Sequence, residues 1–364
     1  MRSVFLAVFA VILFAAPVLA ADEAGDLPTD FGAQALEEAL DGETREALLD
    51  VSPTSGGDFG KALLHILKNA LTRSRSGFRA AILAGGKVLA AGILCGFAAN
   101  AHGGGLKLPA ILAGAFAITA LCTKDVHGAI GLARQTVQRI SDFTTLLLPV
   151  LSTSLAASGG SVSAGALLAG GTLAMSILTK LASSLLIPLV YVYILLAAAE
   201  SACESAGLGK VRELVGWAVS LLIKGVCAAF TAYLSLTRIV SAPADAAAVK
   251  AAQAAFSGMV PVVGSILSDA SESLLAGAGL IRSAVGVFGM LAVLAIAAAP
   301  FLQMAAYYLV LKVAGAVCVD AVCGPHAALV SHLSTAMGYM LAINASAIWM
   351  GLISAACFLQ AVVH

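Results

Sequence analysis

The sequence predicts an all-α, polytopic membrane protein with about six to eight crossings, and three observations carry that expectation. Sixty per cent of the 364 residues are hydrophobic, against roughly half in soluble domains, and the mean hydropathy is +0.99. Charged residues make up only 11% and crowd into one N-terminal block, which leaves apolar runs of the about 20 residues a helix needs to cross a hydrocarbon core. Prolines and short polar stretches then interrupt those runs at a repeated spacing, as expected for re-entrant hairpins and proline-kinked helices.

At the N-terminus, Met1 and Arg2 precede the apolar run Val4 to Val18 and then Leu19, Ala20 and Ala21. That is the layout of a signal peptide over residues 1–21, with an uncleaved anchor as the alternative. The next segment, 22–60, is expected to be extracytoplasmic. From Asp22 to Asp58 it carries eleven carboxylates against the single cation Arg45, so the zero net charge conceals a basic remainder. Within it, Phe31 to Leu49 places Leu36, Leu40 and Ala47 at helical spacing, the pattern of a partner-binding helix, and a solvated linker is the competing reading.

Residues 61–143 form the next unit. Lys61 to Arg79 reads as a cationic amphipathic helix at a membrane surface, followed by two short spans at Val88 to Ala101 and Leu108 to Cys122. Thr123 to Phe143, which sets Val126, Ile130, Val137 and Ile140 among Lys124, Arg134, Arg139 and Asp142, is expected at an interface.

The remainder divides into two copies of one unit, 144–256 and 257–364. Pro149 and Pro188 are separated as Pro261 and Pro300 are, and the two pairs superpose at an offset of 112 residues. At the same offset Leu155 meets Leu267, Ser161 meets Ser273, and Ala164-Gly165-Ala166 meets Ala276-Gly277-Ala278. Each copy is expected to comprise a short apolar segment, a small or polar tip (Ser158 to Ser163, Ser268 to Ser273) and a long helix bent at Pro188 or Pro300. These four prolines are the candidate hinges. Polar breaks at Glu200 to Glu213 and Asp320 to Pro325 lead into further apolar regions at Leu214 to Leu236, Ala327 to Ile343 and Ala347 to Val363.

The sequence offers no catalytic residues and no cofactor or metal set, which points to a non-enzymatic protein. The six histidines make no H-E-x-x-H pair, no P-loop lysine motif occurs, and the seven scattered cysteines form no C-x-x-C pair. Dispersed basic residues argue against nucleic-acid binding. Ionisable groups within apolar runs are costly and mark candidate polar pathways. Here they are Lys180 and Lys224, with Ser268, Asp269, Ser271 and Glu272 at the second tip. Snorkelling lysines and a wet helix cap are the plainer reading of the same residues.

The phrases PVVGSILSDASESLLAGAGLIRSAVG at Pro261 to Gly286 and LLLPVLSTSLAASGGSVSAG at Leu146 to Gly165 resemble the stage III sporulation protein AE family of endospore-forming bacteria. The resemblance implies a transmembrane subunit of a sporulation channel, or feeding tube, in the mother-cell-derived membrane around the forespore. The partners it implies are other proteins of the same operon, including a cytosolic ATPase and ring-forming subunits, together with membrane lipid. A secondary transporter with a site between repeats and a non-conducting scaffold are the alternatives.

Overall fold

The computed structural model describes residues 33–48, 59–101, 107–203, 205–259, 264–321 and 324–360, and these contain helices without any strand. Two short helices, α1 (Ala33–Glu38) and α2 (Gly42–Ala47), bury Leu36, Leu40, Ala47 and Leu48 and leave the acidic side chains Glu38, Asp41 and Glu46 exposed. This short amphipathic pair is held by Arg45, whose guanidinium donates to the Glu37 carbonyl, and by an Arg139–Asp41 ion pair of 2.9 Å to a later helix.

Helix α3 (Phe59–Arg73) buries Ala62, Ile66 and Ala70, four residues apart as one helical face requires. At Ser74 the chain passes into α4 (Arg75–Ala101). The Ser74 hydroxyl is buried and donates to the Ala299 carbonyl at 3.2 Å. That bond fastens the corner to the residue before Pro300.

The next helix, α5 (Lys107–Ala157), is continuous over 51 residues, about 76 Å at 1.5 Å per residue. It absorbs the second short span, the expected interfacial piece Thr123 to Phe143 and the short segment opened by Pro149. The amphipathic stretch buries Val126, Ile130, Val137 and Ile140 against neighbouring helices, so it continues the bundle. Pro149 sits on the exposed side of α5, where the missing N–H and the unpaired Thr145 carbonyl reach solvent or headgroups.

The first expected tip is a true hairpin. Gly160 N–H bonds the Leu155 carbonyl at 3.0 Å and Gly159 N–H bonds Ala156 at 3.1 Å, while Gly159 has φ 96°. That is a Schellman closure, in which the left-handed position favours glycine. Helix α6 (Ser161–Leu181) then turns back along α5. Its opening N–H groups lack intrahelical acceptors, and the buried Asp245 carboxylate takes two of them, from Val162 at 2.8 Å and Ser163 at 3.1 Å. Replacing Asp245 by alanine is expected to lower unfolding free energy by about 2 kcal/mol. Amide hydrogen exchange at residues 161–165 should accelerate in that variant; unchanged exchange there would show that the cap contributes nothing.

A π-turn at Ala182–Leu186 joins α6 to α7 (Ile187–Cys203). Pro188 has no N–H to donate, and in a regular helix its ring would press on the Ser184 carbonyl. The π-turn relieves this, with Ile187 N–H reaching back five residues to Ala182. The hydroxyls of Ser183 and Ser184 back-bond to the Lys180 carbonyl. Pro188 therefore follows a local π-turn in a helical stretch that continues from Ser161 to Cys203.

Helices α8 (Ala206–Met259), α9 (Gly264–Ala321) and α10 (Gly324–Gln360) complete the body. The most buried pair is α9 with α10, and α5 packs across both. The second expected tip, Ser268 to Ser273, lies inside α9 with no interruption at Pro300, so that stretch itself makes no turn. Pro261 lies outside the described residues. The two expected C-terminal spans are one helix, α10, with Asn344 buried inside it. Among the described residues, six helical stretches are long and apolar enough to cross a membrane: Arg75–Gly96, Leu112–Ala157, Ser161–Cys203, Ala206–Thr237, Ala284–Cys318 and His326–Gln360.

Candidate functional site

Where α7 ends and α8 begins, the polar break of the sequence closes on itself. Glu200 on α7 and Arg212 on α8 face each other across the turn, with Arg212 Nε donating to Glu200 Oε2 at 2.6 Å. The guanidinium also donates to the Tyr193 hydroxyl at 3.2 Å and lies 5.6 Å from the Tyr193 ring centroid. Only 8% of Arg212 is exposed. Two hydrogen-bonding directions of a planar fork are thus used in a low-dielectric setting, where a charge-assisted bond is strong and a lost one is costly.

Helix α10 supplies the third wall. His332 and Tyr339 set their rings edge-on to Tyr193, with centroids at 6.4 and 5.4 Å, the arrangement favoured by aromatic quadrupoles. The Tyr339 hydroxyl interacts with Ser220 of α8. Gly216 makes room for this junction, because a Cβ there would lie 2.6 Å from the Tyr339 hydroxyl and 3.3 Å from the Tyr193 ring. Likewise, a Cβ at Gly209 would meet Glu200 Oε1 at 2.5 Å. The cluster locks α7, α8 and α10 together near one end of the bundle. It offers an ion pair, two phenols and an imidazole, and holds no nucleophile activated by a base.

Sequence reasoning passed over this cluster because Glu200, Arg212 and Glu213 read as loop residues. The available signal was the spacing: a carboxylate near the end of one apolar helix and a cation near the start of the next can pair across a tight turn.

The residues singled out in advance fall elsewhere. Lys180 and Lys224 are exposed, each on an outward stripe of apolar side chains: Leu173, Ile177 and Leu185 around the first, Trp217 and Leu221 beside the second. Both point away from the bundle interior. Ser268, Asp269, Ser271 and Glu272 belong to α9 in backbone, and their side chains lie outside the described residues. Of the sequence cluster Cys323, His326 and His332, the first is outside the described residues. His326 is buried beside Gly114 and Cys95 without a hydrogen-bond partner for either ring nitrogen. Among the described residues no three His, Cys, Asp or Glu side chains group as metal ligands, and the cysteines Cys95, Cys122, Cys203, Cys227, Cys318 and Cys357 are free thiols.

Comparison with known proteins follows the same body of helices. A family model for stage III sporulation protein AE matches residues 88–361. The curated stage III sporulation protein AE of Bacillus subtilis (strain 168) is 24% identical over 225 residues, which cover 61% of this chain and 56% of that protein. The match therefore spans little more than half of that relative's length. No solved structure matches.

Proposed function

We propose, from the premise that the chain belongs to the stage III sporulation protein AE family, that this multi-pass sporulation protein is a transmembrane subunit of the channel complex between mother cell and forespore. The observation that carries the reading is the reach of the family match, which takes in the membrane body from α4 through α10. The six helices among the described residues that are able to cross a bilayer support a role inside the membrane. In this reading the protein sits in the mother-cell-derived membrane around the forespore, with its acidic N-terminal segment extracytoplasmic. Its partners are other proteins of the stage III operon, including the cytosolic ATPase and the ring-forming subunits. Ser268, Asp269, Ser271 and Glu272 contribute the polar lining of a path, since ionisable groups in apolar surroundings tend to face water or a partner.

Cells lacking the chain are expected to engulf the forespore and then fail in late forespore-specific transcription. The Asp269→Asn, Glu272→Gln double variant should fail similarly while inserting at the parental level. Late transcription at the parental level without the chain would overturn the channel reading; normal transcription in the double variant alone would remove the two carboxylates from it. One observation favours a transporter as the second reading: the π-turn before Pro188, because π-turns inside helices are frequent at functional sites. Solute uptake by the purified chain in vesicles, without partners, distinguishes that reading.

A further inference from the structure

Helices α4, α5 and α10 come together over Gly114 of α5. No side chain stands there, and the position that a Cβ would take is approached from two sides. His326 Cε1 and Nε2, from α10, lie 2.5 and 2.6 Å from it, and Cys95 Cβ, from α4, lies 2.9 Å from it. The Nε2 edge of an imidazole and the side chain of a thiol therefore converge over one glycine. Any larger residue at 114 would push them apart.

Both groups are uncommitted. His326 is fully buried, and neither of its ring nitrogens has a hydrogen-bond partner. Cys95 is a half-buried free thiol. A neutral imidazole carries one donor and one acceptor, and buried polar atoms in folded proteins are nearly always paired. An ion held by the ring would use the lone pair that no hydrogen bond reaches.

The donors select the ion. One thiol sulfur and one imidazole nitrogen suit copper, and thiolate favours its monovalent state. Magnesium and calcium take oxygen ligands, and structural zinc takes four protein ligands. Among the described residues no third His, Cys, Asp or Glu joins the pair. Charge points the same way. A thiolate with a monovalent ion is neutral, whereas a divalent ion on the same pair would bring a net charge into apolar surroundings at high cost.

We propose that Cys95 and His326 form a two-ligand site for Cu(I) between α4 and α10. The Cys95 thiol gives its proton to the buffer as its sulfur bonds the metal. The Nε2 lone pair makes the second bond, and Nδ1 keeps the ring hydrogen. Copper enters and remains as Cu(I), so no electron is transferred. The site ties the start of α10 to α4, and it is independent of the sporulation role.

Copper binding by the purified full-length chain tests it. In mild detergent and without oxygen, Cu(I) is shared between the chain and a chromogenic Cu(I) chelator. The parent is expected to retain a single copper ion per chain, and X-ray absorption of that copper should show both sulfur and nitrogen neighbours. Cys95→Ser and His326→Phe should each weaken retention by at least about a hundredfold, since even a residue that only supports a metal ligand typically contributes 10–100-fold. Cys203→Ser and Cys227→Ser, which alter thiols on α7 and α8, should retain the ion. Circular dichroism checks that each variant keeps its helices. A parent that holds no copper against the chelator would overturn the proposal, as would a shell of sulfur alone or retention unchanged in Cys95→Ser or His326→Phe. X-ray absorption of the parent needs no variant, so a variant that fails to fold does not shield the proposal from refutation.

Discussion

Replacing Arg212 by methionine is expected to destabilise the folded protein by about 3 kcal/mol, at the lower end of the range for stranding one partner of a buried ion pair. The low end applies because the Glu200 side chain is 28% exposed and recovers some hydration when its cation is lost. The Tyr193 hydroxyl also loses its donor. Arg212→Lys should recover only part of the loss, because an ammonium cannot reach Glu200 and Tyr193 with the same planar fork. The Glu200→Gln, Arg212→Met double variant should be more stable than Arg212→Met alone, since no orphan charge remains. Unfolding of the purified protein in mixed detergent, followed by circular dichroism, measures all four chains. Equal stability of Arg212→Met and the parent would show that the pair only decorates the turn.

The second large effect is expected at Gly170. This residue of α6 lies against Tyr233 of α8 so closely that a Cβ would overlap the tyrosine ring. The same ring is anchored through its hydroxyl to the Ala166 carbonyl at 2.8 Å and so has little freedom to swing aside. Gly170→Leu should force α6 and α8 apart and cost about 3 kcal/mol or prevent folding; Gly170→Ala should cost about 1–3 kcal/mol. Adding Tyr233→Leu to Gly170→Ala should restore part of the loss by vacating the space. Gly165, five residues earlier on the same helix, is exposed and has nothing within 4 Å of an added Cβ. Gly165→Ala should therefore be neutral or stabilising by up to about 1 kcal/mol through helix propensity. Equal losses at 165 and 170 would mean that the packing of α6 on α8 is not as described.

Much of this was open to reading along the chain. Apolar runs longer than a bilayer crossing identified a multi-pass helical protein, because lipid leaves an unpaired backbone no other partner. The small or polar tip Ser158 to Ser163 marked a reversal, and the structure closes it with a left-handed Gly159. Pro188 marked a bend, and the structure has a π-turn just before it. The matching stretch at Ser268 to Ser273 was read as a second hairpin because its residues align with the first, yet it is helical. Small residues and serines permit a turn without compelling one. Ser158-Gly159-Gly160 contains the left-handed glycine closure, and Asp269-Ala270-Ser271 in the corresponding region has no glycine. The amphipathic stretch Thr123 to Phe143 was similarly divided from its neighbours by hydropathy, although nothing in its backbone stops the helix.

By itself, the sequence determined the class and the amphipathic faces, since these depend on local hydrophobicity and helical periodicity. Only the tertiary structure decided that Glu200, Arg212, Tyr193, His332 and Tyr339 form one cluster, and that Asp245 caps a helix more than 80 residues away in the chain. Pairing across a bundle depends on which helices become neighbours and in what register. That register is set by the summed packing of small residues such as Gly170 and Gly216 against large ones, and no local pattern encodes it.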